Sequence, residues 1–189
     1  MTTYTPNWPL ETERLVLRPF VEDDYEVLHE MRSNENVSRY LYSYPFSPER
    51  TRDFLQVKIA GAAVNREGQW LSAAATVRET GELVADVALL WASEEHRQGE
   101  IGFVVHPAHQ GKGYATEASR PLLAFGFDRL RLHRIFGRLD ARNDASARVL
   151  EKLGMRREAH FIENEWIKGE WQSEIVYALL ADEFRGGRG

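Results

Sequence analysis

Apolar positions along the chain follow two rhythms. Spacings of three or four residues predict helices, and short β-branched or aromatic runs predict strands. Leu15, Val16 and Leu17, within residues 14–20, predict a first strand closed by Pro19. Asp23 or Asp24 then opens a helix whose apolar face is Val27, Leu28 and Met31. An aromatic connector runs from Tyr40 to Phe46, after which Ser47 and Pro48 predict a second helix start, with Phe54, Leu55 and Ile59 along it. Residues 69–78 and 83–91 read as two strands joined by the turn Glu79-Thr80-Gly81-Glu82. Residues 100–106 are a further strand, and from Tyr114 onward Ala115, Ala118, Leu122 and Phe125 predict a long helix. Pro121 lies inside it, where proline costs about 3 kcal/mol in an unconstrained helix. The apolar positions on both sides nevertheless predict that the helix continues. Residues 133–141 form another strand, Asn143 or Asp144 caps a short helix ending at Gly154, and strands near 157–166 and 171–180 flank the turn at Lys168-Gly169-Glu170. The order β-α-α-β-β-β-α-β-α-β-β predicts a mixed α/β architecture around one sheet, as a single domain over residues 1–189. The first ten or so residues are polar and proline-bearing, and are expected to be loosely held.

One junction in this pattern points to chemistry. The strand ending at Val105 is followed by Gln110-Gly111-Lys112-Gly113-Tyr114-Ala115 and then directly by a helix. A strand, a glycine turn and a helix start together present backbone N–H groups at the positive end of a helix dipole, which suits a phosphate or pyrophosphate. A nucleotide-triphosphate loop is excluded because Lys112 is followed by Gly113 rather than Ser or Thr, and His106 stands where its first glycine belongs. A dinucleotide fingerprint would want glycine where Thr116 stands.

Composition narrows the field. The chain has 189 residues, 43% of them hydrophobic, enough for a proper core. It has no cysteine, so disulfides, thiolate metal sites and covalent cysteine chemistry are excluded, and no metal is expected. Its longest apolar runs fall short of a membrane span and its first residues lack the apolar segment of a signal peptide, so a cytoplasmic protein without membrane contact is expected. A net charge of −5 argues against nucleic-acid binding and leans towards a cationic partner such as an amine.

Four motifs in order resemble those of the GNAT superfamily of N-acetyltransferases, in particular its RimJ/RimL-like branch. They are the opening Arg14-Leu15-Val16-Leu17-Arg18, the strand Glu100-Ile101-Gly102-Phe103, the turn from Gln110 to Glu117, and Asn143-Asp144-Ala145-Ser146 followed by Leu153-Gly154-Met155. The resemblance spans about 170 residues. It implies a mostly antiparallel, splayed mixed sheet flanked by helices, and acetyl-CoA as co-substrate. By the same resemblance Phe103, Val104 and Val105 would pair with the pantetheine arm. Gln110, Gly111, Lys112, Gly113, Tyr114, Ala115 and Thr116 would surround the pyrophosphate, and Asn143 and Ser146 would also touch the cofactor. A backbone N–H on strand 100–106 would polarise the acetyl carbonyl where that strand parts from the one at 134–141.

The reaction then demands a base for the ammonium and a donor for the leaving thiolate. Glu100, opening the central strand, is the expected base, with Glu94, Glu95 and His96 in the preceding loop as reserves. Many family members place a tyrosine seven residues after the motif asparagine, but Leu150 stands there, leaving Ser146 as the nearest hydroxyl. Tyr40, Tyr44, Trp91 and Trp166 are candidate walls of an amine pocket, since aromatic faces suit cations. The acceptor is a small-molecule amine or a peptide N-terminus, and a homodimer is left open. Two alternatives stand beside the acetyltransferase reading: a non-catalytic coenzyme A sensor, and a transferase of another acyl group such as succinyl.

Overall fold

The computed structural model describes residues 2–187. Its strands are β1 (Leu10–Glu11), β2 (Leu15–Arg18), β3 (Trp70–Val77), β4 (Leu83–Ser93), β5 (Gln98–Val105), β6 (Arg134–Asp140), β7 (Arg156–Ile167) and β8 (Glu170–Leu180). The helices are α1 (Tyr25–Ser33), α2 (Glu35–Ser38), α3 (Pro48–Ala60), α4 (Tyr114–Asp128), α5 (Asp144–Lys152) and α6 (Ala181–Gly186). All eight strands join one sheet in the order β1-β2-β3-β4-β5-β6-β8-β7. Every neighbouring pair is antiparallel except β5 and β6, which are parallel.

That parallel pair is short. Gln98, Gly99 and Glu100 pair with Arg134, Ile135 and Phe136, and the pairing goes no further. Each strand continues, but held by its outer neighbour: β5 stays registered on β4 as far as Val105, and β6 on β8 as far as Asp140. The sheet therefore opens into a wedge beyond Glu100, leaving one edge of β5 unpaired inside the molecule.

The period of two along the strands sorts the remaining residues onto two faces. Ala85, Val87 and Leu89 of β4, with Ala73 and Ala75 of β3, pack against Ala118, Leu122, Leu123 and Phe125 of α4. Burial of that stripe explains why α4 runs through Pro121: the helix has a continuous apolar face on both sides of it. The alternate residues face α1 and α3, where Ala74 meets Leu28 and Leu55, and Leu83 joins them across a bulge in the β3–β4 register. Asp86, Ala88 and Leu90 of β4 lie on this second face, registered against Val104, Gly102 and Glu100 of β5.

The N-terminal segment departs from expectation. Tyr4 and Val64 exchange backbone hydrogen bonds of 2.7 and 3.0 Å, and the Tyr4 ring packs edge-on against Trp91 with centroids 5.7 Å apart. The Trp8 indole donates to the carbonyl of Ala62 at 2.9 Å. Aromatic anchors outweigh the polar composition that predicted a loose tail. The short elements β1, α2 and α6 also lay below the resolution of the periodicity. No helix among the described residues is long and apolar enough to cross a membrane.

Candidate active site

The wedge between β5 and β6 opens onto a groove of about 370 Å³. One wall is Phe103, Val104 and Val105, and its end is the glycine turn with the start of α4. Gly113 is the N-cap residue of α4 with φ of 83°, and Gly111 has φ of 77°, both in the left-handed region that glycine enters without strain. The first backbone bond within α4 runs from Glu117 N–H to the carbonyl of Gly113 at 3.1 Å. The N–H groups of Tyr114, Ala115 and Thr116 precede it and carry no helical partner. The Thr116 hydroxyl, in the same groove, is buried and makes no hydrogen bond among the described residues. Unpaired donors around an open glycine turn fit the pyrophosphate of coenzyme A.

Three further residues hold the turn in place. Arg14 Nη1 donates to the carbonyl of Lys112 at 3.0 Å, while Arg14 Nε donates to Glu117 at 2.7 Å. Gln110 donates to the carbonyl of Val105 at 3.3 Å, stapling the turn to the strand end. Lys112 departs from its expected place: its ammonium sits 3.2 Å from His109 Nδ1, and the residue lies outside the groove lining.

At the far wall stands the start of α5. Asn143 caps the helix, its Oδ1 accepting from the Ser146 N–H at 3.0 Å. The capping bond occupies the asparagine oxygen and leaves its amide N–H₂ for the groove. Asn143 and Ser146 line both this groove and a second cavity. Leu150 is buried against Gly137 of β6, whose missing side chain makes room for it. The position where many relatives carry a hydroxyl is apolar here.

The second cavity, about 410 Å³, lies on the α1 and α3 face of the sheet. At one end Arg138 Nε donates to Glu100 Oε1 at 3.2 Å and Arg138 Nη2 donates to Oε2 at 3.4 Å. The Glu100 side chain is only 13% exposed. Burial raises its pKa above the ordinary carboxylate value, Arg138 opposing and Glu174 adding to the rise. Tyr42 donates to Glu174 at 2.8 Å, and burial together with that bond raises its phenol pKa strongly. At the other end Asp86 accepts from Lys58 Nζ at 2.7 Å and from Arg32 Nη2 at 2.5 Å. Burial opposes ionisation of Asp86, but Lys58 and Arg32 outweigh it and keep its pKa below the ordinary aspartate value.

Of the expected acceptor residues, Tyr40 lines both cavities. The other three lie elsewhere. Tyr44 is 62% exposed on the connector. Trp91 is 5% exposed in the core, because its parity in β4 turns it to the α4 face. Trp166 is 61% exposed at the tip of the β7–β8 hairpin, edge-on to Trp171. In their place Tyr42 and Trp70 line the acceptor side. Period-two alternation alone could have found Trp70, which shares the face of Ser72 and Glu100. The Arg32–Asp86–Lys58 cluster carried no sequence signal, being drawn from three separate elements.

A helix start with free N–H donors, an unpaired strand edge and an adjoining cavity together define an acyl-CoA-dependent acyltransferase. Comparison with known proteins agrees. The acetyltransferase (GNAT) domain family matches residues 14–156, and this chain belongs to that family. It is 32% identical over 175 residues to the uncharacterized N-acetyltransferase YnaD of Bacillus subtilis, covering 93% of this chain and 98% of the relative. It is 25% identical over 169 residues to the spermidine N(1)-acetyltransferase of Escherichia coli, covering 89% and 87% respectively. The crystal structure of a GNAT-family acetyltransferase from Bacillus anthracis superposes with a TM-score of 0.82 at 33% identity, covering 92% of this chain and 99% of that one.

Proposed function

We propose that this chain moves the acetyl group of acetyl-CoA onto the primary amine of a small molecule by direct attack within a ternary complex. The observation that carries this reading is the junction of the two cavities: Tyr40, Leu41, Phe103, Val104, Asn143 and Ser146 line both. A thioester reaching along β5 and an amine entering from the α1 and α3 face would meet there. Acetyl-CoA supplies an acyl group already activated for attack. The N–H groups from Gly111 to Ala115 hold its pyrophosphate, the free edge of β5 aligns its arm, and a β5 N–H stabilises charge on the carbonyl oxygen. Glu100 accepts the proton of the ammonium, directly or through water; its raised pKa brings its basicity closer to that task. Ser146, whose hydroxyl makes no hydrogen bond among the described residues, donates a hydrogen bond to the departing thiolate. The four ordered motifs support placing the chain in the RimJ/RimL-like branch.

Glu100→Gln keeps the shape and removes the basicity. We expect kcat/KM near neutral pH to fall by about 10²-fold or more. Raising the pH, which supplies free amine, partly restores it. In the wild type the acidic limb of kcat/KM lies above the ordinary carboxylate pKa, since burial favours the protonated form. A variant with a normal rate near neutral pH would move the role to another group. Tight acetyl-CoA binding with no thiol release for any amine would make the chain a coenzyme A sensor.

A further inference from the structure

We infer that the acceptor carries a carboxylate several bonds away from its amine, making the substrate an ω-amino acid or similar amino-carboxylate rather than a polyamine. This rests on the acyltransferase reading above and concerns the end of the acceptor cavity remote from Glu100.

The charges lining that cavity are Arg32, Lys58 and Arg138 against Asp86 and Glu100. Arg138 and Glu100 neutralise each other at one end. At the other, two cations share the single carboxylate of Asp86, leaving a net positive charge in a buried place. The Arg32 Nε–H there is buried and finds no acceptor among the described residues. Its guanidinium lies over the Phe54 ring at 4.7 Å, so a flat face is covered and its remaining donors point in the plane. A planar fork with one nitrogen on Asp86 and another donor unsatisfied is suited to a second carboxylate. Glu100 and Asp86 lie on the same face, and the register places Glu100 opposite Leu90, four residues from Asp86 along β4. At about 3.3 Å per residue the backbones of the two ends are about 13 Å apart, a span that an α-amino acid, whose amine and carboxylate share one carbon, does not bridge and an acceptor with several intervening bonds does. A polyamine would place its second cation beside Arg32 and Lys58, where like charges repel.

The test uses the full chain. Calorimetry with acetyl-CoA first checks the underlying reading. Thiol release is then measured with lysine, ornithine, γ-aminobutyrate and 6-aminohexanoate, each beside its decarboxylated or esterified counterpart, and with spermidine. We expect at least one carboxylate-bearing acceptor to exceed its counterpart by about 10-fold or more in kcat/KM, the scale of one charge-assisted hydrogen bond. Arg32→Lys, which keeps a cation beside Asp86 but loses the fork, should collapse that preference by raising KM for the carboxylate acceptor rather than lowering kcat. Preference for spermidine or the carboxylate-free amines, or turnover of no carboxylate-bearing acceptor while acetyl-CoA binds, overturns the inference and leaves the acyltransferase reading standing. Faster transfer from succinyl-CoA than from acetyl-CoA onto carboxylate-free amines places the carboxylate on the acyl chain and also overturns it. Failure to bind acetyl-CoA overturns both.

Discussion

Gly113 sets the geometry of the cofactor end. Its φ of 83° is a conformation that side-chain-bearing residues rarely adopt, and an added Cβ would come within 3.4 Å of the Arg14 guanidinium. The cost of a side chain here therefore falls on the turn, where donors are displayed, and little on the distant core. We expect Gly113→Val to abolish detectable acetyl-CoA binding by calorimetry while circular dichroism remains that of the wild type. Retained affinity in a folded variant would mean that the N–H groups of this turn do not hold the pyrophosphate. The glycine and its neighbours were legible in the sequence, because backbone-mediated binding needs a local motif. Lys112 shows the limit of that logic: it stands within the motif, yet its side chain turns to His109.

Helix α4 carries the turn, and its first turn is tied to the opening of the chain. Glu117 accepts from the Thr12 hydroxyl at 2.6 Å, from Arg14 N–H at 2.7 Å and from Arg14 Nε at 2.7 Å. Burial works against the ionised form, but these bonds from Thr12 and Arg14 outweigh it and hold the Glu117 pKa below the ordinary glutamate value. The same Arg14 reaches the Lys112 carbonyl, so the segment before β2 and the glycine turn are tied together. Glu117→Gln weakens the charge-assisted bonds without changing the shape. The expected loss is about 1–2 kcal/mol, read as a melting temperature lowered by about 3–6 °C. Because the turn loosens, KM for acetyl-CoA should rise while kcat changes little. An unchanged KM would show that Arg14 braces the fold without tuning the cofactor groove.

At the scale of the molecule, the buried Arg32–Asp86–Lys58 cluster joins α1, α3 and β4. Two cations hold the folded-state pKa of Asp86 below its unfolded value. Its stabilisation is therefore complete above about pH 4 and is lost as pH falls through the lower folded value. Asp86→Asn leaves both cations without their counterion. We expect it to be less stable than the wild type near neutral pH by about 3 kcal/mol or more. The gap should narrow below about pH 4, as protonation removes the wild type's advantage. A gap independent of pH, by denaturant unfolding, would show that packing and not charge is lost.

The order of the longer elements, the glycine turn and a helix start at Asn143 or Asp144 were all determined by the sequence itself. Each depends on local spacing: a period of two or 3.6, a left-handed turn, a side chain capping its own helix. The tertiary structure decided what those parts enclose. It fixed where β5 and β6, expected to part, do so: after Glu100, since each follows its outer neighbour. It turned Trp91 into the core and brought Tyr42 and Trp70 to the acceptor side. It also set Arg138 against Glu100, and Arg32 and Lys58 against Asp86. These pairings join residues from 28 to 54 positions apart. A buried charge must find a counterion in space, and that requirement leaves no periodicity in the chain to read.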